Sequence, residues 1–161
     1  QVDRILNGRW SAYGRTSVEH DEFSGFDNRY FLGLGVTYQV IKSPDMEWSI
    51  GGGPGYKMDE VQARIVSPTV TIPASTEESI AAQAASRFKY KINDKVSLTN
   101  DTDVLYSDAS TQTRNVTALT VDLMGNLQAR FSYDIRNESN PPLGFKATDT
   151  ATKVSLVYKI G

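Results

Sequence analysis

The sequence predicts an all-β fold: an antiparallel up-and-down transmembrane β-barrel with eight strands, closing by themselves or contributing to a larger barrel. Three observations predict it. Apolar and polar residues alternate over long stretches, and the connections between those stretches alternate between long and short. The apolar faces carry no charged residue, in a chain that is 22% Asp, Glu, Lys and Arg. Successive side chains of a strand point to opposite sides, so alternation with a period of two marks a strand with two unlike faces.

The clearest strand runs from Arg29 to Val40. Tyr30, Leu32, Leu34, Val36, Tyr38 and Val40 form one face, and Arg29, Phe31, Gly33, Gly35, Thr37 and Gln39 the other. A first strand from Leu6 to Glu19 sets Trp10, Ala12, Gly14, Thr16 and Val18 against Arg9, Ser11, Tyr13, Arg15 and Glu19. A third from Met46 to Asp59 sets Trp48, Ile50, Tyr56 and Met58 against Glu47, Ser49, Gly51, Gly53, Gly55 and Lys57. Pro54 lacks an N–H, so a bulge or bend is expected there.

The fourth strand, Ser79 to Ile92, sets Ile80, Ala82, Ala84, Phe88 and Tyr90 against Gln83, Arg87, Lys89 and Lys91. Its alanines make a helix the competing reading. The fifth, Lys95 to Ser107, is the poorest, because Val96, Leu98, Val104 and Tyr106 share their face with Asn100 and Thr102. Three more complete the set: Arg114 to Leu123, Leu127 to Arg136 and Thr150 to Ile160. Long or polar connections follow the first, third, fifth and seventh strands, and short ones follow the second, fourth and sixth. All the long loops then lie at one end, which is the layout of an up-and-down barrel.

A soluble barrel also alternates, with its apolar face inward. Three features favour lipid outside. A lipid-facing surface excludes charge, since Lys or Arg at the bilayer midplane costs ~2–4 kcal/mol. Small residues at Gly33, Gly35, Gly51, Gly53, Gly55, Ala81 and Ala85 stand between charges on the polar face, as suits a crowded polar lumen. Aromatic residues, among them Tyr30, Tyr38, Trp48, Tyr56, Tyr133 and Tyr158, lie towards strand ends, where interfacial girdles form. Leu32, Leu34, Val36, Leu119, Val121 and Leu156 are then lipid-facing. Arg87, Lys89, Asp101, Asp103, Arg114, Asp122, Arg130, Asp134 and Arg136 form a charged network facing the lumen.

Composition narrows the chemistry. With 161 residues the chain is a single domain, and its net charge of -2 offers nothing to attract nucleic acid. It has no cysteine, which excludes a disulfide scaffold, a thiolate metal site and a catalytic thiol. No run of about 18 apolar residues is present, so no transmembrane helix is expected. Neither a metal site nor a cofactor is expected.

From Glu19 to Tyr56 the sequence carries specific motifs: His20-Asp21-Glu22-Phe23-Ser24-Gly25-Phe26-Asp27-Asn28-Arg29, then Gly33-Leu34-Gly35-Val36-Thr37-Tyr38, then Ile50-Gly51-Gly52-Gly53-Pro54-Gly55-Tyr56. With the Asn140-Pro141-Pro142 loop and the closing segment Asp149 to Tyr158, this resembles the family of salt-induced outer-membrane proteins catalogued as domain of unknown function 481. His20 stands where that family usually has Arg. Family members also carry further N-terminal strands not found among these residues, so a naturally short relative, a fragment or a piece of a longer chain is expected, and barrels of this kind end in an aromatic residue where this sequence has Ile160-Gly161. The resemblance implies a bacterial outer-membrane location, outer-membrane lipids and the barrel-insertion machinery as partners, and an association with salt or envelope stress. It implies no activity.

His20 is the single histidine, with Glu19, Asp21, Ser17 and Ser24 near it in sequence. A barrel hydrolase needs a nucleophile, a base and an orienting acid within reach, so an outer-membrane lipid hydrolase using His20 is the enzymatic alternative. A solvated loop histidine is the simpler reading. Asp101 and Asp103 share one face and would serve as an acid–base pair or hold a cation, but pairing with arginines across strands explains them better. The expected role is therefore non-enzymatic and structural or salt- and osmotic-stress-related, with a plugged lumen or a narrow channel. A soluble lipocalin-like barrel binding an apolar ligand is the remaining alternative.

Overall fold

The computed structural model describes residues 2–6, 8–21, 26–61, 63–67, 70–141 and 145–158. Its strands are β1 (Val2–Ile5), β2 (Trp10–Asp21), β3 (Phe26–Lys42), β4 (Met46–Val61), β5 (Arg64–Ser67), β6 (Val70–Ile72), β7 (Ser75–Asn93), β8 (Val96–Ser107), β9 (Thr111–Met124), β10 (Leu127–Glu138) and β11 (Thr148–Tyr158). There is no helix among the described residues. A 9-stranded antiparallel sheet has the order β1-β2-β3-β4-β7-β8-β9-β10-β11, and β5 and β6 pair separately within the β4–β7 connection.

Each of the eight expected strands is present. β7 is a strand over its whole length, paired with β4 from Met46↔Tyr90 to Val61↔Ser75. Ladder pairing on both of its edges prevails over the helix propensity of its alanines. The short connections are tight turns. Asn93 Oδ1 accepts from the N–H of Lys95 and of Val96, both at 2.9 Å, and Gly125 adopts φ 58°, which only glycine reaches without strain.

Three features differ from expectation. The first strand does not begin at Leu6; the Leu6 N–H donates to the Trp10 carbonyl at 2.9 Å, and the chain before it forms β1. Pro54 causes no register shift: Gly33↔Gly55 and Val36↔Gly52 keep one register on the β3 side, and Pro54↔Ala82 is regular on the other. The irregularities of the β2–β3 and β3–β4 pairs fall instead at Glu19/Asp21, Phe26/Asn28 and Gln39/Ile41, and the main sheet shifts register again at Lys91/Asn93 and Leu127/Gln128. The end of the last expected strand, residues 159–161, lies outside the described residues.

The third difference concerns closure. No pairing joins β11 to β1 or β2 among the described residues, so the eight expected strands form an open sheet. Strand direction supplies the reason. Every neighbouring pair is antiparallel, so β1 and β11, at the two edges of an odd-numbered sheet, run the same way. β2 alone has the direction that an antiparallel contact with β11 requires. Its edge from Ser11 to Gly14 is already taken by β1.

The sheet is nonetheless strongly curled. Arg29 of β3 reaches Glu138 of β10 at 2.9 Å, Arg15 of β2 reaches Asp103 of β8 at 3.3 Å, and Arg136 of β10 reaches Glu19 of β2 at 3.3 Å. These strands are separated by several others in the sheet, so the polar faces meet across a common interior. The faces divide as alternation requires. Leu34 is 66% and Ile80 80% exposed on the convex side, whereas Phe31 is 8%, Lys57 3% and Asp59 4% exposed on the concave side. Polarity is thus inverted relative to a water-soluble β-sandwich, whose apolar faces meet inside.

Glycines make room for rings within this interior. A Cβ at Gly33 would stand 2.6 Å from Phe31 Cζ, and one at Gly35 would stand 2.6 Å from the Tyr13 hydroxyl. A Cβ at Gly55 would meet the Phe31 ring from the next strand. Of the small residues read from the sequence as space for charges, Gly33, Gly35 and Gly55 are space for Tyr13 and Phe31, whereas Gly51 and Gly53 lie against β3 itself. Gly33→Val should therefore destabilise the protein by ~1–3 kcal/mol through overpacking, despite the better strand propensity of valine. Phe31→Ala should recover part of that loss in the double variant. Denaturant titrations of the two single variants and the double variant measure the coupling, and strict additivity would contradict the contact.

Candidate functional site: the polar interior

The two most buried charges, Lys57 and Asp59, belong to one cluster. Arg29 and Asp59 are cross-strand partners on β3 and β4, and Lys57 lies two residues before Asp59 on the same face. Arg29 donates through Nε and Nη2 to the two oxygens of Asp59, at 3.3 and 3.2 Å, and through Nη2 to Glu138 Oε2 at 2.9 Å. Lys57 Nζ lies 2.6 Å from Asp59 Oδ2 and donates to Ser110 Oγ at 3.2 Å. The cluster ties β3 and β4 to β10 and to the β8–β9 turn. Below it, Phe31, Gln83 and Tyr13, all less than a tenth exposed, fill the section of the interior beside Gly33 and Gly35.

Sequence reasoning missed this cluster for a local reason. Arg29 and Lys57 were recognisable as polar-face residues, but Asp59 stood at an expected strand end and Glu138 lay two residues beyond another. β4 continues to Val61 and β10 to Glu138. The signal was the unbroken alternation past Arg136, which places Asp134, Arg136 and Glu138 on one face.

The nine expected interior charges all lie on the concave side by strand parity, but they do not form one network. Asp103 accepts from Arg15 at 3.3 Å and from Arg87 at 2.6 Å, and Arg87 lies 3.9 Å from Asp101. Arg114 binds Asp134 through Nε and Nη2, at 3.2 and 2.7 Å. Arg136 pairs with Glu19. Lys89, Asp122 and Arg130 lie apart, around a cavity of about 810 Å³ near the short turns, where Gln128 donates to Asp122. The two aspartates of β8 are thus held by arginines. Among the described residues no group of three His, Asp or Glu side chains gathers to hold a metal.

On the convex side Leu32, Leu34, Val36 and Leu156 are exposed to 58, 66, 46 and 69%; Leu119 is 36% exposed and Val121 half-buried. Tyr56, Tyr133 and Tyr158 are exposed, whereas Tyr30, Tyr38 and Trp48 are partly covered by neighbours. The ring of Tyr38 lies 4.7 Å from that of Trp10, tilted by 46°. Asn100 and Thr102, the polar intruders on β8, meet Asn115 and Thr117 of β9. Asn100 Nδ2 donates to Thr117 Oγ1 at 2.8 Å and Asn115 Nδ2 to Thr102 Oγ1 at 2.7 Å. The two amides also bond each other, at 3.3 and 3.4 Å, so the four side chains satisfy one another.

His20 Nδ1 faces the carbonyl of Asp27 and lies 3.3 Å from Asn28 Oδ1. Ser17 is on the concave side of β2, three residues away and of opposite parity, so it does not face His20. Ser24 lies outside the described residues.

The chain matches, over residues 1–160, the family described as "Protein of unknown function, DUF481". It belongs to that family. No curated protein and no solved structure matches it. For this DUF481 protein, structure and chemistry must therefore be read from its own residues.

The ion pairs differ in burial, and so should their removal. Asp59→Ala leaves the almost fully buried Lys57 ammonium without its carboxylate and takes from Arg29 one of the two carboxylates it binds. A loss of ~3–5 kcal/mol is expected on unfolding in denaturant. Arg136→Gln, which breaks a pair exposed to 47 and 51%, should change stability by less than ~1 kcal/mol. Similar losses for the two variants would refute the buried cluster as the anchor of the interior.

Proposed function

We propose that this DUF481 protein is a β-barrel of the bacterial outer membrane, non-enzymatic, with its convex face in lipid and a plugged interior. One observation carries the reading: the large apolar side chains point away from the interior while the charged ones are enclosed. In water that arrangement leaves an extended apolar surface uncovered, which soluble monomers avoid. In a bilayer it is the required one, because lipid covers the apolar face and the interior stays polar. Tyr30 and Tyr38 stand eight residues apart, about 26 Å along the strand, which at a tilt of ~40° spans ~20 Å of depth and places both rings towards the edges of an apolar band ~25 Å tall.

The Asn100, Thr102, Asn115 and Thr117 group is compatible with lipid because its donors are satisfied within the group. Outer-membrane lipids and the barrel-insertion machinery are the partners this reading requires. Tyr13, Phe31 and Gln83, with the Arg29–Asp59–Lys57 cluster, occupy the middle of the interior, so solute passage is poor while they stay in place. The role in the envelope is structural or tied to salt and osmotic stress, the latter resting on the resemblance to salt-induced outer-membrane proteins.

The lipocalin-like alternative needs the apolar face inside, and the observed face directions disfavour it. Leu34→Lys separates the two. With lipid outside, the substitution costs ~2–4 kcal/mol at mid-bilayer depth and should reduce folding into lipid vesicles, read as loss of the heat-modifiable band on gels. With water outside, Leu34→Lys should leave folding intact and improve solubility. That second outcome would sink the membrane reading.

A further inference from the structure

A cavity of about 460 Å³ lies at the long-loop end of the interior, above Phe31 and Gln83 and beside Pro141 and Phe145 of the β10–β11 connection. That volume falls in the range of small-molecule sites, ~300–1,000 Å³. The two ends of that connection are fastened: the Glu138 N–H donates to the Ala147 carbonyl at 2.8 Å and Asn140 Nδ2 to the Ala109 carbonyl at 3.2 Å.

The cavity's hydrogen-bonding capacity is weighted towards donors. Its basic lining residues are Arg15, Arg29, Arg114, Arg136 and Lys146. Its acidic ones are Glu19, Asp103, Glu138 and Asp149. A guanidinium carries five N–H groups, and the ion pairs engage only part of them. Arg136 uses Nη1 on Glu19 and Arg15 uses Nη1 on Asp103, while Arg114 uses Nε and Nη2 on Asp134. Nε and Nη2 of Arg15 and Arg136, and Nη1 of Arg114, have no partner among the described residues.

Two buried atoms sharpen this. Gln112 Nε2 and Glu138 Oε1 are enclosed and make no hydrogen bond. They belong to cross-strand partners, Glu138↔Gln112, and both residues line the cavity. A buried donor or acceptor left unmade costs ~1–3 kcal/mol, so such atoms are normally met by water or ligand. A matching ligand brings an oxyanion to the unused guanidinium N–H groups and hydroxyls to the carboxylates of the lining, and rotation of the Gln112 and Glu138 side chains would let it meet their enclosed, unpaired atoms as well. The rings of Phe31 and Phe145 supply flat apolar walls for its carbon skeleton.

We propose that this cavity binds a small hydroxylated oxyanion, of the sugar-phosphate or sugar-acid class. The proposal does not depend on the membrane reading, since it concerns the interior alone. Its failure would leave the outcome for Leu34→Lys untouched, and the reverse holds as well.

The test is calorimetric titration of the purified full chain, folded in detergent micelles or, where it is soluble without them, in buffer, with glucose 6-phosphate, glucose and inorganic phosphate as probes. Glucose 6-phosphate should bind saturably and at least tenfold more tightly than either of the others. Arg136→Gln should weaken it at least tenfold. Glu19→Gln, which releases Arg136 from its internal carboxylate, should strengthen it several-fold. Circular dichroism confirms that both variants keep their strands, and Lys89→Gln, at the far cavity, should leave affinity unchanged. No saturable binding of glucose 6-phosphate, equal binding of glucose, or indifference to Arg136→Gln and Glu19→Gln would each overturn the proposal.

Discussion

The interior of this protein depends on the mutual neutralisation of Arg29, Asp59, Lys57 and Glu138. Taking an ion from water into a low-dielectric environment costs several kcal/mol, and only close, hydrogen-bonded pairing offsets it. Lys57 and Asp59 are almost wholly buried, and Arg29 lies within hydrogen-bonding distance of two carboxylates. The partner on β10 can be reached only if the sheet curls until strands far apart in order face one another. Curvature and charge pairing are thus one constraint: the sheet bends as far as its ion pairs require, and the ion pairs form because it bends.

The glycines of β3 and β4 serve the same constraint. Rings from Tyr13 and Phe31 lie against strand positions where any Cβ would collide, and so they pack flat on the backbone of the concave wall. This layer separates two polar cavities of about 460 and 810 Å³ at opposite ends of the interior. The end nearest the long loops is rich in arginine and carries a buried donor and acceptor without partners, whereas the other end is lined by Lys89, Asp122 and Arg130. An interior with one filled waist between two unlike chambers is what the proposed plugged barrel requires.

Much of this was legible residue by residue. Strand identity and face followed from alternation, because the period of two is a property of the extended backbone itself. That Leu32, Leu34 and Val36 lie on the face opposite Phe31, Gly33 and Gly35 came from that rule alone. What alternation does not encode is pairing between distant strands. Arg87 and Asp103 were placed on the interior face of successive strands, but the link from Arg29 to Glu138 joins residues 109 positions apart in the sequence. The polar residues Asn100 and Thr102, which weakened the reading of β8, make sense only beside Asn115 and Thr117.

The sequence by itself determined the strands, their order along the chain, the separation of long from short connections and the chemical character of each face. These depend on backbone geometry and on nearest neighbours in sequence. Only the tertiary structure decided three things: that the charged face is the enclosed one, that β1 occupies the edge where β11 would pair, and which charges meet. Each depends on the global curvature of the sheet, a sum of many small twists that no local pattern records.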